Sequence, residues 1–529
     1  MKRRDFIAAS AAALVMPAVG RAQGTQVLKF IPLSDLASLD PAWTTVYATR
    51  GHGYLVYDTL YGQTGRQGGF KATPQMVAGQ TIDDDGKTWK LALRDGLLFH
   101  DGHKVLARDC VASIRRWGVR DPFGQSLMER TDELSAPDDR TILFRLKRPF
   151  PLLADALGKM ASPMCAIMPE RLANTDPYKQ VTEAIGSGPY RFKADERVQG
   201  SLFVYERFQD YVPREGSETP EATSGPKVAH FDRIEWHIIP DPATAAAALR
   251  QGQVDGWELP TSDLLPLLAR DRKLRQESVW DTGFCMMLRP NQLFPPFDNP
   301  GVRRALLGVI DQTEVMTAAM GTDPALWKVP CGYFPPSSPM ASDAGMNALT
   351  GTHDYDRAKR DLQQAGYKGE PVSLMVAVDR PTYKAASDVI ADMMRHAGMT
   401  VDYQSIDWGT LTERRASKKP PAQGGWNLFC SAFAGTDFFN PATHQGLRGN
   451  GGKAFYGWPT SPKLEALHDA WFDAPDLAEQ KHIAREIQAQ AFEDVPYFPL
   501  GLYYGPSVYR ADLTGILHGF PIFWNMRRS

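Results

Sequence analysis

The stretch from Val372 to Ile406 constrains the fold most. Val372 to Val378 and Thr400 to Ile406 read as apolar strands, and Tyr383 to His396 between them reads as a helix. A strand–helix–strand crossover puts its two strands side by side and parallel. The chain is therefore of α/β class, with at least one sheet flanked by helices.

At 529 residues the chain is too long for one hydrophobic core, so two or three domains are expected. Apolar content of 43% and charged content of 23% are those of a globular protein. The first 22 residues read instead as an export signal. Lys2, Arg3 and Arg4 form its basic start, and Ile7 to Val19 is an apolar run too short to span a bilayer comfortably. Gly20 and Ala22 are the small residues of a cleavage point before Gln23. The pair Arg3-Arg4 gives the signal a twin-arginine look; the alternative is an ordinary Sec signal with two arginines. No later stretch is apolar enough to insert in a membrane, so the mature chain is expected free in a bacterial periplasm, as a monomer. The signal carries four basic residues and one acidic one, so its removal takes the net charge from −2 to −5. That balance argues against a nucleic-acid partner. The five cysteines are scattered, with no C-x-x-C pair, and read mostly as buried free thiols.

Asp84 to Trp117 reads as a strand, a turn and a helix. Trp89, Leu91 and Leu93 alternate with Lys90, Ala92 and Arg94, Asp101-Gly102 turns the chain, and a helix follows whose basic last turn is Arg115-Arg116. Gly86, Leu93-Arg94-Asp95-Gly96, Phe99-His100-Asp101-Gly102 and Ala107-Arg108-Asp109 stand in one order. That order resembles the signature of the extracytoplasmic solute-binding proteins of peptide- and nickel-type ABC importers, solute-binding family 5. Gly186-Ser187-Gly188-Pro189-Tyr190 is similar to another motif of that family, and so is Val302-Arg303-Arg304-Ala305-Leu306 with Ile310-Asp311.

The resemblance implies a two-lobed periplasmic-binding-protein fold with a hinge, mixed sheets flanked by helices, and a small inserted α+β subdomain. Residues 23–60, 189–278 and 499–529 would form lobe I, residues 61–188 its inserted subdomain, and residues 279–498 lobe II. Asp84 to Trp117 would lie in the subdomain, away from most of the binding surface.

Signals for catalysis are thin. There is no H-E-x-x-H, P-loop or G-x-G-x-x-G, so no enzyme and no cofactor are expected. His100 and His103 flank Asp101-Gly102 and could hold a metal, but a polar turn explains them better and no metal site is expected.

The binding signals are carried by the resemblance. Asp437, four residues before Pro441, keeps the spacing of an aspartate that pairs with a ligand's ammonium in peptide-binding members. An Asx-turn is the alternative. Thr45, Val46 and Tyr47, after Leu39-Asp40-Pro41-Ala42-Trp43, would line the cleft from lobe I and could pair with an extended peptide as an added strand. Trp43, Phe433, Trp408 and Phe284 are the further cleft positions expected, since ligand pockets are mostly apolar. Arg414, Arg415 and Arg448 could each hold a ligand carboxylate, with no ground for choosing among them. The expected role is capture of a peptide or another ammonium-bearing solute for delivery to the membrane subunits of an ABC permease. Alternatives are the same role for a glycoside, an opine or a metal chelate, and, further off, a secreted hydrolase.

Overall fold

The computed structural model describes residues 26–216 and 219–529; the expected export signal, residues 1–22, lies outside them. Val372–Ala377 and Val401–Ile406 pair in parallel register from Val372↔Val401 to Ala377↔Ile406, joined by the helix Pro381–His396. Every residue of Val372–Ala377 is buried, as a strand covered on both faces must be. Pro381 opens the helix where its missing N–H is harmless.

The protein has two large mixed sheets, one in each lobe. The first has seven strands, in the order Leu274–Glu277, Ser507–Arg510, Gly256–Trp257, Val27–Ile31, Arg233–His237, Leu202–Arg207, Tyr190–Phe192. The second has six, in the order Trp327–Lys328, Phe498–Tyr503, Phe284–Pro290, Leu428–Ala434, Val372–Ala377, Val401–Ile406. Phe498–Tyr503 pairs with Phe284–Pro290 in this second sheet, beyond the boundary expected at 498. The chain then returns, and Ser507–Arg510 joins the first sheet.

A four-stranded antiparallel sheet, Val77–Asp83, Thr88–Leu93, Thr141–Leu146 and Thr131–Ser135, stands apart with its own helices. Trp89, Leu91 and Leu93 are buried there and Lys90 and Ala92 exposed, the alternation of a half-buried strand. The helix that follows runs Ala107–Arg120, so Arg115 and Arg116 lie inside it rather than at its end. Arg116 serves a buried ion pair, described below, and not the helix dipole.

His100 is an architectural residue. It is buried; its Nε2 meets the Gly188 carbonyl at 3.0 Å, and its backbone N–H bonds the Gly186 carbonyl at 2.8 Å. The two family motifs therefore dock on each other. A Cβ on Gly186 would stand 2.1 Å from the Val56 carbonyl, so only glycine fits. Burial holds the His100 imidazole down at about 4, partly offset by the Gly188 bond. The unfolded chain takes up a proton near pH 6.5 that the folded chain refuses until about pH 4, so stability falls with pH across that window. His100→Gln keeps an N–H donor but cannot titrate. The stability gap between wild type and this variant is expected to narrow by about 3 kcal/mol from pH 6.5 to pH 4 in denaturant titrations.

All five cysteines are buried and unpaired. Among the described residues no helix is long and apolar enough to cross a membrane, and no group of three His, Cys, Asp or Glu side chains is placed to hold a metal.

Candidate ligand-binding site

Two fully buried arginines shape the walls of the space between the lobes. From the first lobe, Arg116 meets Asp40 at 2.6 Å and donates to the carbonyls of Thr175, Asp176 and Lys179. Asp40 also accepts the N–H groups of Ala42 and Val181. This pair fixes the loop carrying Trp43 to Thr45 and the loop carrying Tyr178. From the second lobe, Arg289 on the strand Phe284–Pro290 donates to the carbonyls of Gly446, Phe455, Tyr456 and Pro496. It thereby fixes the segment that presents Arg448, Phe455 and Tyr456.

Between these walls lies a cavity of about 440 Å³. The first lobe and its subdomain contribute Trp43, Thr45, Arg120 and Tyr178; the second contributes Arg415, Arg448, Lys453, Tyr456 and Trp458. Four cationic side chains face one carboxylate, Glu129. Arg415 is 7% exposed and lies over Tyr456 at 4.9 Å, and its Nε is buried without a hydrogen-bond partner. Burial lowers its pKa from the usual arginine value. A charge kept in so dry a place is best stabilised by a bound anion. Arg448 gives Nε and Nη2 to Glu465 and leaves Nη1 buried without a partner. Arg120 donates to the Trp43 carbonyl at 3.1 Å and lies over Tyr178 at 5.1 Å.

Asp437 does not line this cavity. It sits in the turn Gly435–Phe438, 2% exposed, and the groups beside its carboxylate belong to the protein, although its Oδ1 accepts no hydrogen bond. Tyr47 donates its hydroxyl to one carboxylate oxygen at 2.5 Å and accepts the Ala434 N–H, while Arg50 stands 3.6 Å from the other oxygen. Tyr47 and Arg50 share the helix Tyr47–Val56 of the first lobe, so the cluster joins the lobes. Burial pushes the Asp437 carboxyl up; Arg50 and the Tyr47 hydrogen bond pull it back.

A sequence model described as bacterial extracellular solute-binding proteins, family 5 Middle, matches residues 71–446. The chain belongs to this family. A relative from Sinorhizobium fredii, named a probable peptide ABC transporter periplasmic-binding protein, is 37% identical over the full length of both chains. Two solved structures share the fold. The periplasmic binding protein DppA of Helicobacter pylori, in complex with the peptide STSA, superposes with a TM-score of 0.78 at 21% identity over 95% of this chain and 98% of that one. The binding protein AgaA of A. tumefaciens R10, in complex with agropinic acid, gives 0.75 at 20% identity over 96% and 99%. The chain is thus a solute-binding protein.

In this family-5 binding protein the eight expected positions separate. Trp43 and Thr45 line the cavity. Tyr47 and Asp437 come together, but on each other. Val46 has no backbone group free for an added strand: its N–H bonds Thr44 Oγ1, and its carbonyl accepts the Arg50 N–H. Phe284 stacks on Tyr503 at 5.2 Å and Phe433 on Phe438 at 5.1 Å, both behind the wall. Trp408 opens the helix Trp408–Arg414 and packs on Tyr383 at 5.3 Å, away from the cavity. Of the three arginines, Arg415 and Arg448 reach the cavity, and Arg414 bonds the carbonyls of Gly424 and Gly425 instead.

Sequence reasoning missed Arg120 and Arg50. Each lies one helical turn beyond a residue it had named, Arg116 and Tyr47, so helical spacing could have found them had both helices been read to their ends. It placed Asp84 to Trp117 away from most of the binding surface; the helix in that stretch continues to Arg120 at the cavity wall.

Proposed function

We propose that the ligand is a small anionic solute, bearing a carboxylate or a comparable acidic group, held between the lobes by Arg415, Arg448 and Arg120. The observation that carries this reading is the combination of a cationic cavity with an Asp437 already occupied by Arg50 and Tyr47. A volume of about 440 Å³ suits one small molecule. The agropinic acid bound by the A. tumefaciens protein is an acid on the same fold. The name of the Sinorhizobium fredii relative favours a peptide. A peptide would be held here by its carboxylates, and its ammonium would find Asp437 occupied.

Residues 1–22 act as a twin-arginine export signal and are cleaved, and the mature monomer works in the periplasm without turning its ligand over. The ligand shifts an open–closed equilibrium because it touches both walls only when the lobes meet. The permease then receives the closed form. Lobe I comprises residues 26–60, 189–278 and 507–529, its inserted subdomain residues 61–188, and lobe II residues 279–503.

The test is mass spectrometry of what the purified mature protein releases on denaturation. A stoichiometric anionic compound is expected, and adding it back should raise the melting temperature by mass action. A cationic compound, or a peptide whose acidic groups can be blocked without loss of binding, would contradict the proposal.

A further inference from the structure

The Arg50 guanidinium occupies a cage built for a cation. It lies over three aromatic rings, Tyr47 at 4.5 Å, Phe520 at 4.8 Å and Trp280 at 5.1 Å. Asp437 stands 3.6 Å away, and Nη1 also donates to the Met160 carbonyl at 3.2 Å. A second buried carboxyl, Glu258, lines the same small cavity and accepts the Leu33 N–H at 2.7 Å. Burial pushes this group up to about 7, with Arg50 opposing. Arg50 is 2% exposed, and its Nε and Nη2 find no hydrogen-bond acceptor in the protein. Three rings and a carboxylate are what a receptor presents to an ammonium or guanidinium ligand. Here the chain supplies that cation itself.

We propose that Arg50 is a specificity-determining residue: as a resident cation in the Tyr47–Trp280–Phe520–Asp437 cage, it makes the receptor refuse ammonium- and guanidinium-bearing solutes. The refusal rests on electrostatics and volume together. An incoming cation would meet a like charge, and the space between the rings is already full. The role rests on the ligand-receptor reading above, and it deepens that reading by explaining why the second lobe's carboxylate is withheld from ligands. Removing the guanidinium should open a vacancy that external cations can fill.

Ligand-stripped wild type, Arg50→Ala and Arg50→Met are to be titrated calorimetrically with methylguanidinium, with trialanine and with N-acetyl-trialanine. The wild type should bind methylguanidinium and trialanine no better than the acetylated peptide. Arg50→Ala should bind methylguanidinium at least about tenfold more tightly than wild type, as expected for a cation desolvated between rings and a carboxylate. Adding Asp437→Asn should remove that gain. Arg50→Met fills the space without charge and should bind neither cation, which separates vacancy from charge removal. If Arg50→Ala does not fold alone, methylguanidinium in the refolding buffer should restore it. The inference is overturned if wild type binds trialanine in an acetylation-sensitive manner, or if folded Arg50→Ala takes methylguanidinium no better than wild type. Failed rescue of an unfolded Arg50→Ala overturns it as well. Anion binding by the wild type, measured with the released compound, tests the ligand reading separately, since its failure would leave the cation result unchanged.

Discussion

Arg415→Ala is expected to lose ligand affinity by on the order of 2–5 kcal/mol, about one and a half to three and a half decades in Kd, read by calorimetry with the compound the wild type releases. The size of the effect follows from the burial of the guanidinium and from its unpartnered Nε. A ligand anion would be its charge-assisted acceptor, beside the Tyr456 and Phe455 rings. Truncation also removes packing against those rings, so the melting temperature of the unliganded variant must be measured beside the affinity. Arg415→Lys keeps the charge but loses the planar fork, and should fall between wild type and alanine. Equal affinity in all three would remove Arg415 from the site.

The second large effect is expected at Arg116. Arg116→Met leaves Asp40 as an uncompensated buried charge and releases three backbone carbonyls. Breaking a buried pair in this way costs about 3–5 kcal/mol of stability, measurable by denaturant titration. Both loops that Arg116 holds present cavity residues, so ligand affinity should fall in the same variant. The double variant Arg116→Met with Asp40→Asn removes both charges and should recover part of the stability. A loss below about 1 kcal/mol in the single variant would show that the loops are held by other contacts.

Much of the fold was legible because its signals are local. The crossover from Val372 to Ile406 and the alternation of Trp89, Leu91 and Leu93 need only the two backbone periods. The docking of His100 on Gly188 was not legible, since it joins residues 88 positions apart. The candidate site shows the same split. Trp43 and Thr45 were reachable from the motif Leu39-Asp40-Pro41, and Arg415 and Arg448 were recognised as residue types suited to carboxylates. What Asp437 does depends on Tyr47, 390 positions away, and on Arg50 beside it. A conserved-looking spacing to Pro441 carries no information about a counter-ion on the opposite lobe. Arg120 was hidden by a helix expected to end one turn early at Arg116, which left the cavity-facing turn out of view. The aromatic positions were the weakest, because strand-end aromatics serve cores and clefts alike, and Phe284 and Phe433 went to the core.

The most direct test is a crystal structure of the mature protein carrying the compound it releases. The expected density lies between the lobes, with an acidic group of the ligand within hydrogen-bond distance of Arg415 and Arg448, and with Arg50 still against Asp437. A ligand ammonium seated on Asp437, with the Arg50 side chain displaced, would contradict the reading of this protein as a receptor for anions.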